Sequence, residues 1–193
     1  MSRVHISFMQ RSDIEEATKV LSIAMLNNPL HIAVFQGNGE NERLKIETMF
    51  VELFHTRPGI VFLARQDCKV IGVMRMNSCA GKKDQDETQI LPDENDFNFR
   101  KSFWLREWAI RDPLEQHWHL GPIGVLPSHR KMGIGSKLMQ RFCQEVDNCS
   151  APAYLETDTD ENVTFYQRFG FEIVARSKIF QVDSRYMSRA AQR

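Results

Sequence analysis

Between an apolar run and a helical pattern the chain reads PSHRKMGIGSK over residues 127–137, and the spacing Arg130-x-x-Gly133-x-Gly135 can hold an anion. Glycines there let backbone N–H groups approach a phosphate without Cβ interference, at the positive end of the following helix. The amides of Arg130, Lys131, Met132, Gly133, Ile134, Gly135 and Ser136 are the candidate donors, with the Arg130 and Lys131 charges beside them. Two well-known phosphate loops do not fit. A G-x-x-x-x-G-K-[ST] loop needs lysine directly after its last glycine, whereas Ser136 follows Gly135 and position 130 is arginine. A dinucleotide fingerprint needs a third glycine three positions after Gly135, where Leu138 stands.

Two further sets of residues could move protons. Asn162 and Tyr166 are four apart in a helical pattern and therefore share a helix face. A phenol with a pKa near 10 is protonated at neutral pH and can donate. His119 lies six residues before Val125, an even separation that places both on one face of a regular strand; His117 has the same parity. Imidazole, with a pKa near 6.5, suits proton uptake at neutral pH. Gly121–Pro122 lies between His119 and Val125 and can bulge the strand, and Glu115 stands at its fringe. Cys68, Cys79, Cys143 and Cys149 show no C-x-x-C spacing, and no histidine pair sits at metal-ligand distance, so no metal site is expected.

The elements that must position these residues are legible in the periodicity. Val4, Ile6 and Phe8 alternate as a first strand, and a helix follows through RSDIEEATKVLSIAML with Ser12 or Asp13 as N-cap. NNP breaks that helix, and a second opens at residues 37–40 and runs to Pro58–Gly59. IVFLARQDCKVIGVMRM reads as a hairpin turning near Gln66–Lys69. Residues 79–96 are polar and aperiodic, the pattern of a connector. FNFRKSFWLREWAI reads as a helix with an aromatic face of Phe99, Phe103, Trp104 and Trp108. A strand is expected over 117–127, then a helix bearing the stripe Ile134, Leu138, Phe142 and Val146. APAYLET reads as a strand, ENVTFYQRF as a helix stopped by Gly170 and FEIVA as a strand, and SKIFQVDSRYMSR can close a sheet. Alternating strands and helices with hairpins predict an α/β or α+β domain with a mixed sheet.

Composition narrows the function classes. A chain of 193 residues suits one domain, and 25 basic against 25 acidic residues give no field favouring nucleic acid or an anionic membrane. No apolar stretch approaches the roughly 18 residues of a membrane span. Cysteines without a disulfide framework, and an N-terminus without a signal-peptide layout, lead to the expectation of a reducing, cytoplasmic setting.

Arg-x-x-Gly-x-Gly after IGVLP, followed at the usual separation by YLETDTDENVTFYQRFGFEIV, resembles the GNAT N-acetyltransferase superfamily over about residues 117–176. Within it, YLET…N…FY…GF and the terminal Tyr-Met-Ser-Arg are most similar to puromycin-acetyltransferase-like small-molecule acetyltransferases. The resemblance implies one GNAT-type domain over 1–193: a central, mostly antiparallel mixed sheet flanked by helices. It also implies an acetyl-CoA-dependent N-acetyltransferase in which a primary amine attacks directly through a tetrahedral intermediate. The loop at 130–136 would hold the CoA pyrophosphate, Ile123 and Val125 would pair with the pantetheine arm, and the Val125 N–H would serve the oxyanion. Tyr166 would protonate the leaving thiolate, and Asn162 would bond the cofactor arm or cap its helix. His119, directly or through water, would be the base. Residues 12–58, including His31 and Phe35, and residues 97–112 would shape the site of a small-molecule amine. A protein N-terminal or lysine acetyltransferase and a non-catalytic acyl-CoA sensor are the alternatives, and a monomer or homodimer is expected.

Overall fold

Strand alternation and helix stripes build one sheet with helices on both faces. The computed structural model describes residues 3–57, 59–81 and 96–192. In chain order these form β1 (His5–Phe8), α1 (Ile14–Met25), α2 (Pro29–Phe35), α3 (Glu40–Thr56), β2 (Ile60–Gln66), β3 (Lys69–Cys79) and α4 (Phe97–Ile110). There follow β4 (His117–Val125), α5 (Ile134–Asn148), β5 (Ala153–Thr157), α6 (Asp160–Gln167), β6 (Glu172–Ile179) and β7 (Val182–Arg189). The sheet order is β1-β2-β3-β4-β5-β7-β6, antiparallel throughout except for β4 beside β5. This is the mixed, mostly antiparallel sheet flanked by helices that the sequence led us to expect.

Period-2 alternation along β2 and β3 supplies a core on each face. Phe62, Ala64, Met74 and Met76 pack towards α5 and α6, and Leu63 and Val73 pack towards α1, α3 and α4. The α5 stripe is fully used: Ile134, Leu138, Phe142 and Val146 are buried, each worth about 1.5–3 kcal/mol of apolar burial. On the other face α1 lies so close to β4 that a Cβ on Gly124 would stand 2.8 Å from that of Ala24.

Two boundaries differ from expectation. Asn28 and Pro29 start a helix as well as ending one: the Asn28 side chain accepts the His31 N–H, proline takes the first turn, and Gln36 closes α2 at φ 60°. FEIVA is only the first part of β6, which runs on to Ile179 and turns through Phe180 and Gln181. Both turn residues have positive φ, 47° and 65°, as a tight hairpin demands. Of the expected connector, Cys79 ends β3 and Asp96 caps α4, and residues 82–95 lie outside the described residues.

Candidate active site

The site begins with a defect in the sheet. β4 pairs with β3 along most of its length but meets β5 only at Trp118–Ala153 and His119–Tyr154. Beyond His119 the two parallel strands diverge. The Leu126 N–H bonds the Ile71 carbonyl at 2.9 Å. Backbone groups alternate along an antiparallel strand, so those of Ile123 and Val125 point away from β3 into the opening. Those two residues can therefore pair with an extended amide chain.

A bulge alters which side chains look where. Met74 faces Ile123 whereas Met76 faces Leu120, so Arg75 alone stands opposite Gly121 and Pro122. The extra residue reverses the alternation. Ile123 and Val125 pack on the α5 face, Gly124 meets α1, and His119 lies on the Gly124 side. The expectation that His119 and Val125 share a face is thus corrected: they flank the opening from opposite sides.

His119 Nε2 lies 2.7 Å from Glu156 Oε2 across the point where the strands part. The His119 side chain is 19% accessible and that of Glu156 5%. Burial opposes a charge on the imidazole, but the Glu156 charge and hydrogen bond outweigh it and raise the His119 pKa. His117 is sealed beneath: Nδ1–H donates to the Glu115 carbonyl at 2.9 Å and Nε2 lies 3.3 Å from Asp112 Oδ1. Burial again opposes charge, yet the partners, Asp112 foremost, push His117 up to about 10. Charged at neutral pH, it has no lone pair with which to take a proton. Glu115 precedes β4, is exposed, and contributes its carbonyl to holding His117.

On the other face of the sheet, α6 carries Tyr166 in the core beside α5, within reach of the Asp158 and Glu156 charges. Its ring packs on Phe165 and Phe171 at 5.3 and 6.2 Å, and 6% of the residue is accessible. Burial pushes its phenol up, with the Asp158 and Glu156 charges adding to the shift, so it stays protonated throughout the physiological range. Asn162 sits one turn earlier, but Thr159 caps the helix: its Oγ1 accepts the Asn162 N–H at 3.3 Å. Capping by Asn162 is therefore corrected.

The glycine loop opens α5. Lys131 and Gly133 have φ of 62° and 76°, and a Cβ on Gly133 would meet nothing within 4 Å. The first helical bond runs from Lys137 N–H to the Gly133 carbonyl, so the amides of Ile134, Gly135 and Ser136 have no partner within the helix. Lys131, Met132 and Gly133 are exposed, whereas the Ile134 side chain is core, leaving only its backbone for the loop. Gly135 stacks its backbone near Phe165, to which a Cβ would approach within 3.5 Å. Arg130 is exposed, its Nη2 donating to the Ala24 carbonyl at 3.0 Å at the end of α1, and its own N–H is taken by the Pro127 carbonyl at 3.3 Å, which removes it from the expected set of open amides. Open amides, a left-handed glycine and a strand edge facing an opening suit a diphosphate joined to an amide-bearing arm, the chemistry of CoA.

The sequence reading overlooked Glu156, Asp158 and Asn28. Asn28 Nδ2 donates to Asp158 Oδ2 at 3.3 Å and Ser184 Oγ to Asp158 Oδ1 at 3.0 Å. Burial, opposed by these hydrogen bonds, pushes the Asp158 carboxyl up to about 6. Alternation in Tyr154-Leu-Glu156-Thr-Asp158 was the available signal, since residues two apart on a strand share a face. His31, expected at the acceptor site, is buried beside Phe35 and Trp104 and held neutral by that burial, its pKa lowered to about 4. Trp104 is core, and Phe97, Phe103 and Trp108 pack around it, so much of the aromatic face of α4 is structural.

Comparison with known proteins finds the same fold. A structure described as histone acetyltransferase HPA2 and related acetyltransferase from Corynebacterium glutamicum superposes with a TM-score of 0.71 at 16% identity, covering 100% of this chain and 98% of that one. A GNAT family acetyltransferase from Brucella melitensis in complex with acetyl-CoA gives 0.59 at 16%, covering 100% and 91%. The ribosomal-protein-S18-alanine N-acetyltransferase from Escherichia coli gives 0.61 at 14%, covering 99% and 96%. Residues 27–171, well over half of the chain, match the model of the Acetyltransferase (GNAT) family. The chain belongs to the GNAT acetyltransferase family.

Proposed function

We propose that the protein transfers an acetyl group from acetyl-CoA to the primary amine of a small molecule. The observation that carries this reading is the opening between β4 and β5, with the α5 loop and Tyr166 on one face and the His119–Glu156 pair on the other. Acetyl-CoA supplies the activated acetyl thioester. The amides of residues 131–136 and the α5 dipole bind its diphosphate, with the Arg130 charge beside them, and the backbone groups of Ile123 and Val125 align its arm. The Val125 N–H faces the opening and stabilises a developing oxyanion, a contribution of about 3–4 kcal/mol in comparable sites. Tyr166, kept protonated by burial, donates its proton to the departing sulfur. His119, its charge supported by Glu156, takes the proton of the attacking ammonium. Asn162, on the same helix face as Tyr166, steadies the cofactor arm.

The recessed position of the acid–base pair supports a small acceptor over a polypeptide: the Glu156 side chain is 5% accessible and that of His119 19%. One sheet with helices on both faces supports reading residues 1–193 as a single domain. No helix among the described residues is long and apolar enough to cross a membrane. The four cysteines are unpaired, which fits the reducing, cytoplasmic setting expected from the sequence. Thiol release from acetyl-CoA, measured across a panel of amines and peptides, tests the reading. Amine-dependent release is expected. Release with peptides alone would transfer the reading to a protein acceptor, and acetyl-CoA binding without any release would make the protein a sensor.

A further inference from the structure

Asp158 is a carboxylate that the fold has taken trouble to hold but has not neutralised. It follows β5 immediately and shares the face of Glu156, on the side of the opening where α1 runs into α2. Each oxygen accepts one hydrogen bond from a neutral donor, Asn28 Nδ2 or Ser184 Oγ. The Asn28 amide cannot turn over, because its Oδ1 already accepts the backbone N–H and Nδ1–H of His31, both at 3.0 Å. Arg185, the guanidinium acting on Asp158 from behind, is engaged elsewhere: it bonds Asp160 Oδ1 at 2.6 Å and the carbonyls of Asp158 and Asp183. Among the described residues the carboxylate has donors but no ion-pair partner. A partly buried, oriented anion without a cation remains costly unless a cation arrives. Glu156, its neighbour, is already answered by His119, and Tyr166 lies close enough for both carboxylates to act on its phenol.

We infer that Asp158 is the docking point for the acceptor's ammonium group, so that the protein takes amines that arrive as cations. This rests on the acetyltransferase reading above and adds to it the charge state in which the acceptor is recognised. The ammonium would complete the set of partners around Asp158, and His119 would then draw its proton. Neutral nitrogen nucleophiles gain nothing from the carboxylate.

The test is steady-state kinetics of the wild type and Asp158→Asn at neutral pH. The probes are phenethylamine, 1,4-diaminobutane and lysine methyl ester as ammonium acceptors and phenylacetic hydrazide as one that is uncharged. The expected result is a rise of about tenfold or more in KM for the ammonium acceptors. KM for acetyl-CoA and kcat/KM for the hydrazide should stay within about twofold, a pattern that damage to the fold does not produce. Should Asp158→Asn unfold, Ser184→Ala removes one donor and keeps the carboxylate, and a rise of about threefold confined to the ammonium acceptors is expected. Unchanged KM for the ammonium acceptors, or an equal loss with the hydrazide, overturns the docking role and leaves the transferase reading intact. A wild type that binds acetyl-CoA yet acetylates none of the four probes overturns both.

Discussion

At the scale of single residues, partner charges decide what each acid or base can do. For His119 the sign is definite: Glu156 raises its pKa, so the rising acid limb of the kcat/KM profile should sit above the ordinary histidine value. Glu156→Gln removes that charge and should move the limb to lower pH by about one unit or more. A limb that stays in place would assign the proton uptake to another group. His31 makes a matching prediction for stability. Its folded pKa, about 4, lies below the ordinary 6.5, so the unfolded chain binds more protons as pH falls through that window. Stability is therefore lost on acidification from about pH 6.5 to 4, by up to about 3 kcal/mol from this group. Asp158 works in the opposite sense, because its raised carboxyl pKa favours the folded chain as pH falls. Denaturant unfolding of His31→Gln should therefore show a flatter acid side than the wild type, and an equal slope would contradict a buried neutral histidine. Tyr166 and His119 could be named as candidates from residue type and from the family resemblance, although the spacing that set His119 on the Val125 face does not survive the β4 bulge. Glu156 and Asp158 were not, since a carboxylate becomes distinctive only through burial and partners remote in sequence, 37 positions away for His119 and 130 for Asn28.

Elements set the geometry within which those residues act, and their boundaries follow from a few backbone positions. The α5 stripe and the β2–β3 hairpin could be read from periodicity alone, because burial of one face leaves a regular trace in sequence. The β4 bulge could not. Gly121–Pro122 signalled that parity might break, but whether the partner strand supplies one residue or two opposite that pair is a tertiary fact. α2 escaped notice for a related reason: proline after asparagine reads as a stop unless Asn28 is known to cap a new helix. Gly133 carries the element-scale prediction. Its φ of 76° is open to glycine and strained for other residues, at roughly 1–2 kcal/mol, while the space around it is empty. Gly133→Ala should thus leave the core intact but distort the loop, raising KM for acetyl-CoA about three- to tenfold with little change in the amine KM. An unchanged acetyl-CoA KM would mean that this loop does not hold the cofactor.

Over the whole molecule, one departure from regular pairing organises everything else. Among the described residues five antiparallel pairings hold the sheet together, and the one parallel pairing, β4 with β5, is where the strands part. The C-terminal hairpin secures the far side of that opening. Arg189 on β7 reaches Asp147 of α5 through two bonds of 2.6 and 3.0 Å and the Phe169 carbonyl through a third. The face proposed to bind acetyl-CoA and the face proposed to receive the amine thus meet at one slot, across which acetyl transfer is proposed to take place. The most direct measurement is thiol release with acetyl-CoA, paired with mass analysis of the acetylated amine, for the wild type and Tyr166→Phe. Release stoichiometric with product is expected in the wild type. In the variant kcat should fall by at least about tenfold, towards the roughly 100- to 10,000-fold that a general acid contributes, with the affinity for acetyl-CoA unchanged. Equal turnover in the two proteins would contradict the role of Tyr166, and acetyl-CoA binding without release in the wild type would contradict transfer itself.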